Sequence, residues 1–167
     1  MGCPAGYRWE VILDASRFNV GSVPPPPSIR IVAVNRNRIF RDGLSVLIDM
    51  QPDLTLLASV ASPYEAVRLF AEMRPDLTLM DLDQPSNMGL EAIQQIRILD
   101  PEAWVIGLLT NDWDDIGTQA LNAGADSILT KDSISQRLMP VIRAGREARL
   151  ASAAPPVLGV RSSSEST

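Results

Sequence analysis

Residues 77–85, LTLMDLDQP, run apolar from Leu77 to Met80 and then stop at a carboxylate, Asp81, with a second carboxylate at Asp83 before a proline. A short apolar run bounded in this way reads as a buried strand whose end opens onto a loop. Four further runs have the same character: IRIVAV (29–34), LTLLASV (54–60), WVIGLL (104–109) and DSILT (126–130). Between and after them the apolar period lengthens to that of a helix. Ile39, Phe40, Leu44, Leu47 and Met50 share one helical face; Val67, Phe70 and Met73 follow the capping-box sequence Ser62-Pro63-Tyr64-Glu65. Leu90, Ile93 and Ile96 form a third stripe, Ile116, Ala120 and Leu121 a fourth, and Leu138, Val141 and Ile142 a fifth. Strict alternation of continuous apolar strands with amphipathic helices predicts an α/β fold, a five-stranded parallel sheet doubly wound with helices on both faces.

The flanks differ from this middle. Four prolines at 24–27 form a stiff spacer, and the stretch after Leu150 is rich in Ala, Pro and Ser. The expected organisation is an N-terminal extension with its Pro-rich linker over 1–28, one domain over 29–149, and a disordered tail over 150–167. With 167 residues, 46% of them hydrophobic, one good core is the default. The net charge of −5 and the absence of any basic block give no electrostatic footprint for nucleic acid. A lone cysteine, Cys3, excludes an internal disulfide framework, and no apolar run reaches the roughly 18 residues of a membrane span. A cytoplasmic setting is expected. There is no histidine, which removes imidazole metal ligands and histidine-assisted nucleophiles together.

Doubly wound sheets bind ligands beyond the carboxyl ends of their strands. The residues delivered there are Asn35 and Arg36 after the first strand, Asp81 and Asp83 after the third, Leu109 and Thr110 after the fourth, and Lys131 after the fifth. Lys131 stands out because it is the only lysine in a chain whose other basic residues are all arginine. Its compact ammonium can reach a carboxylate or an acyl phosphate in a way that a planar guanidinium does not duplicate.

Three stretches together, FRDGLSVLI (40–48), RPDLTLMDLDQP (74–85) followed by Gly89-Leu90-Glu91-Ala92, and ALNAGADSILTKD (120–132), make the chain from about Ile29 to Arg146 resemble a response-regulator receiver domain of the NarL/FixJ type. The resemblance implies a flavodoxin-like strand order 2-1-3-4-5. It implies phosphoryl transfer from the phosphohistidine of a sensor histidine kinase onto Asp81, with Lys131 and Mg²⁺ neutralising the charge that builds on the phosphoryl oxygens.

The acidic pair that the family uses for Mg²⁺ falls here on Asn35 and Arg36, an amide and a permanent cation. Counted back from Lys131, the switch hydroxyl falls on Leu109, with Thr110 one position later, and the aromatic switch falls on Ile128. These departures predict an atypical receiver in two-component signalling with impaired or absent Mg²⁺-dependent phosphorylation, acting through protein–protein contacts. No cofactor is firmly expected; Mg²⁺, if held, would fall to Asp81 and Asp83. Arg36 is expected to replace the metal's charge and to lock Asp81 and Lys131 into one ion-paired cluster. A stand-alone receiver, or a relic or fragment of a longer regulator, is expected, since no recognition helix follows Leu150. Homodimerisation is expected through the face of the fourth and fifth helices around Ile116, Leu121, Ile134 and Val141. Two alternatives stand beside this reading: a conventional receiver phosphorylated on Asp81, and a haloacid-dehalogenase-like phosphatase using Asp81-Leu82-Asp83.

Overall fold

The computed structural model describes residues 28–83, 85–110 and 115–153. The N-terminal extension through Pro27 and the segment from 154 onward lie outside the described residues. The elements follow in strict alternation: β1 (Ile29–Val34), α1 (Arg38–Asp49), β2 (Leu54–Val60), α2 (Pro63–Met73), β3 (Leu77–Asp81), α3 (Met88–Leu99), β4 (Trp104–Leu109), α4 (Asp115–Ala123), β5 (Ser127–Thr130) and α5 (Ile134–Ala153). A short 3₁₀ turn, Pro85–Asn87, precedes α3. The five strands form one sheet in the order β2-β1-β3-β4-β5, and every neighbouring pair is parallel.

Side-chain alternation along the strands builds two cores. Ile31 and Ala33 of β1, Leu77 and Leu79 of β3, Ile106 and Leu108 of β4 and Leu129 of β5 face α1 and α5, where they meet Leu44, Ile48, Leu138 and Ile142. Val32 and Val34, Met80, Val105 and Leu109 face α2, α3 and α4, where they meet Ala66, Phe70, Ile93, Ile96 and Ala120. Both faces of the sheet are therefore covered, and each fully buried Leu or Ile contributes roughly 2 kcal/mol of transfer free energy. Gly107 sits in the middle of this packing. A Cβ there would lie 2.7 Å from both Leu82 Cδ1 and Ile128 Cδ1, so glycine is what lets those two side chains close over β4.

Several local expectations are corrected. In α1 the buried positions are Leu44 and Ile48, whereas Ile39 and Met50 are exposed: the helix is rotated so that its ends turn away from the sheet. Ser62 precedes α2 in extended backbone but makes no side-chain cap bond, and Pro63 at the first turn supplies the start instead. The fifth strand begins at Ser127, because the Asp126 carboxylate accepts the Val105 amide and the Arg97 and Arg149 guanidinium groups. Helix α5 continues through Leu150 to Ala153, past the boundary placed at 149, and carries Pro140 on an exposed position. Of the apolar positions expected on a docking face, Ile134 belongs to the core, Ile116 and Val141 pack against it half-buried, and only Leu121 is exposed.

Candidate functional site

The site lies at the carboxyl ends of β1, β3, β4 and β5. Strand parity decides which side chains meet there. Asp81 is in register with Leu108 and Leu129 with Leu108, so Asp81, Thr110 and Lys131 all continue the α1/α5 side of the sheet. Asn35 continues the same side of β1 after Ile31 and Ala33. Leu109 has the opposite parity and is buried against α3 and α4, within 3.4 Å of the Cβ position of Gly117. Thus Thr110, and not Leu109, reaches the pocket.

Asp81 is nearly enclosed at 2% exposure, a costly place for a carboxylate without a counter-charge. Lys131 supplies one: its Nζ lies 2.6 Å from Asp81 Oδ1 and 2.7 Å from Asp83 Oδ2. The backbone N–H groups of Asp83 and Arg36 also point at Asp81, at 3.3 Å from Oδ1 and 3.4 Å from Oδ2. Phe40, one turn into α1, places its ring 5.5 Å from Lys131 Nζ, close enough for a cation–π contact. Gly89 makes the near approach of α3 possible: a Cβ there would lie 2.6 Å from the Asp81 carbonyl oxygen.

Asp83 is more exposed than Asp81 but is held firmly. Its Oδ2 accepts from the Thr110 hydroxyl at 2.5 Å and from Lys131 at 2.7 Å. Partial burial pushes the Asp83 carboxyl up, yet the hydrogen bonds from Lys131 and Thr110 and the Lys131 charge outweigh it, and the net direction is below the usual carboxylate range.

Asn35 and Arg36 do not fit a divalent cation. Asn35 is buried, and its Oδ1, the one oxygen it could offer, accepts the Asn37 N–H at 2.8 Å. That bond fixes the amide orientation and turns Nδ2, a donor without a hydrogen-bond partner, toward the interior. Arg36 follows with a side chain that carries no oxygen ligand. Among the described residues no three acidic, Cys or His side chains converge as a metal-binding group. The expected ion pair between Arg36 and Asp81 is also corrected. Arg36 is exposed, and among the described residues its guanidinium forms no ion pair; it reaches Asp81 only through its backbone N–H. The cluster is instead Asp81–Lys131–Asp83–Thr110.

Two contributors escaped the sequence reading. Asn37 caps α1 by accepting the Ile39 and Phe40 N–H groups, a signal available in an Asn just ahead of an apolar-periodic run. Arg41 returns from the first turn of α1 to donate to the Asn35 and Arg36 carbonyls at 2.7 and 3.1 Å, and so fixes the loop that carries both; nothing in the sequence marks it.

The Response regulator receiver domain model matches residues 31–143. The transcriptional regulatory protein YdfI of Bacillus subtilis is 34% identical over 109 residues, covering 65% of this chain and 51% of the relative. LiaR of the same organism is 33% identical over 118 residues, covering 70% of this chain and 55% of the relative. The chain therefore spans about half the length of these two proteins. Among solved structures, a LuxR-family two-component response regulator from Aurantimonas sp. SI85-9A1 is 32% identical with a TM-score of 0.68, over 72% of this chain and 86% of that one. The response regulator domain of Thermotoga maritima CheB is 27% identical with a TM-score of 0.65, over 72% of this chain and 97% of that one. The matched family model and the strand order agree, and the chain belongs to the response regulator receiver domain family of two-component signalling.

Proposed function

We propose that this chain is an atypical receiver that acts through protein–protein contacts, with Mg²⁺-dependent phosphorylation at Asp81 impaired or absent. The observation that carries the reading is the pair Asn35 and Arg36: a buried amide whose oxygen is already used, followed by a cation. Mg²⁺ keeps near-ideal octahedral oxygen coordination and dehydrates reluctantly, so two positions without a free side-chain oxygen give it little. Asp81 and Lys131 are already paired, which leaves the nucleophile neutralised without an added ion. The partners of such a domain are a sensor histidine kinase or another signalling protein. Relatives that are transcriptional regulators extend well beyond the matched region; for this chain a cytoplasmic setting is the proposal. Among the described residues no helix is long and apolar enough to cross a membrane.

A second reading has its own support. Thr110 lies at the pocket on the Asp81 side of the sheet, so a hydroxyl is present there that could turn from Asp83 to a phosphoryl oxygen, as in a conventional receiver phosphorylated on Asp81. Intact mass after incubation with Mg²⁺ and acetyl phosphate separates the two, with Asp81→Asn as control. No added phosphoryl group in a folded protein is expected. A gain that depends on both Asp81 and Mg²⁺ would overturn the proposal and establish the conventional role.

A further inference from the structure

We infer that Asp83 is the pocket's built-in anion, standing in for a group carried on Asp81 and holding the end of β4 in its anion-bound arrangement. The inference rests on the reading of an atypical receiver given above and assigns the residue that regulates its pocket. Two donors in this pocket are placed to receive an oxygen of an oxyanion attached to Asp81: the Lys131 ammonium, in contact with Asp81 itself, and the Thr110 hydroxyl, on the same side of the sheet. Both are used by one atom, Asp83 Oδ2, at 2.7 and 2.5 Å. Charge-assisted hydrogen bonds of this length are the strong ones. They connect the segment after β3, the end of β4 and the start of the loop after β5 through a single carboxylate.

The formal charges agree with this role. Lys131 is the ammonium shared between the Asp81 and Asp83 carboxylates, so Asp83 competes for the charge that an oxyanion on Asp81 would use. The Thr110 hydroxyl is engaged by a residue of the chain itself. Since a ligand shifts an equilibrium only through differential interaction with its states, an oxyanion meeting donors that are already engaged has little left to shift.

Three variants test this: Asp83→Ala, Thr110→Val and the double variant, each compared with the unmodified chain by two-dimensional amide NMR and hydrogen exchange. Asp83→Ala is expected to speed exchange at Thr110 by about tenfold, the size set by loss of the charge-assisted Thr110–Asp83 bond, while the β1 amides stay unchanged. Thr110→Val removes only the hydroxyl bond and should raise exchange at Thr110 likewise, and the double variant should match Asp83→Ala, because Asp83→Ala already breaks the Thr110 link. Titration with inorganic phosphate supplies a readout that a merely structural role would not move. Thr110 and Lys131 amide shifts should saturate at millimolar phosphate in Asp83→Ala and stay flat in the unmodified chain. Equal phosphate response in the two proteins, or additive effects of the two single variants, would overturn the inference. That failure is distinct from failure of the proposed function, which is read from Mg²⁺-dependent mass gain on Asp81 in the unmodified chain.

Discussion

Replacing Lys131 by methionine removes the ammonium but keeps most of the side-chain volume, and its cost can be worked from the structure. Asp81 is 2% exposed, and Lys131 Nζ lies 2.6 Å from its Oδ1. Removing one member of a buried ion pair costs about 3–5 kcal/mol, because the other charge stays desolvated without a partner. Two features lower that figure here: the lysine is partly exposed, and the Arg36 and Asp83 N–H groups still point at the carboxylate. The expected loss is therefore about 2–3 kcal/mol, or roughly 6–12 °C in Tm for a domain of this size. Urea unfolding at pH 7 followed by far-ultraviolet circular dichroism measures it. Adding Asp81→Asn to Lys131→Met should recover most of the loss, since the carboxylate that needed the ammonium is then gone. Stability of Lys131→Met within about 0.5 kcal/mol of the parent, or no recovery in the double variant, would refute the claim that this pair offsets the burial of Asp81.

Other consequences follow from the same geometry. Gly89→Ala places a Cβ 2.6 Å from the Asp81 carbonyl oxygen; the start of α3 has to retreat, and thermal unfolding should show a loss of about 1–3 kcal/mol. The Asp83 carboxyl is held below the usual range, so its contribution is fully present above the unfolded-state pKa and is lost as pH falls through the lower folded value. In Asp83→Asn the acid limb of a stability-against-pH curve should accordingly be shallower than in the parent below about pH 4. The double change Asn35→Asp and Arg36→Asp supplies hard oxygen ligands beside Asp81 and should create measurable Mg²⁺ binding by isothermal titration calorimetry; the same heats in the parent chain would count against the donor-set argument.

Much of this architecture was written in periodicity. Five apolar runs bounded by turns, each followed by a helical stripe, specify a parallel sheet with both faces covered, and the limits of β1, β2, β3 and β4 coincide with those runs. The residues that line the pocket were also legible, because strand ends in such a sheet converge on one rim: Asn35, Asp81, Asp83 and Lys131 could be listed without coordinates. What periodicity could not give was the azimuth of a helix. Ile39 and Met50 have the spacing of a buried face, and only the packing of α1 against the sheet turns them outward.

The choice between Leu109 and Thr110 belonged to tertiary structure as well. Counting from Lys131 favours Leu109, but the register of β4 against β3 and β5 fixes which face each residue takes, and a shift of one position reverses it. Pairing among charges was likewise beyond the sequence. Arg36 adjoins the site in the chain, yet its side chain leaves for solvent while its N–H stays with Asp81. Asp83, two residues from Asp81, instead shares Lys131 with it and takes the Thr110 hydroxyl. Sequence determines which charges arrive at the rim; backbone direction over a few ångströms decides which of them meet, because Coulomb and hydrogen-bond energies fall steeply over that distance.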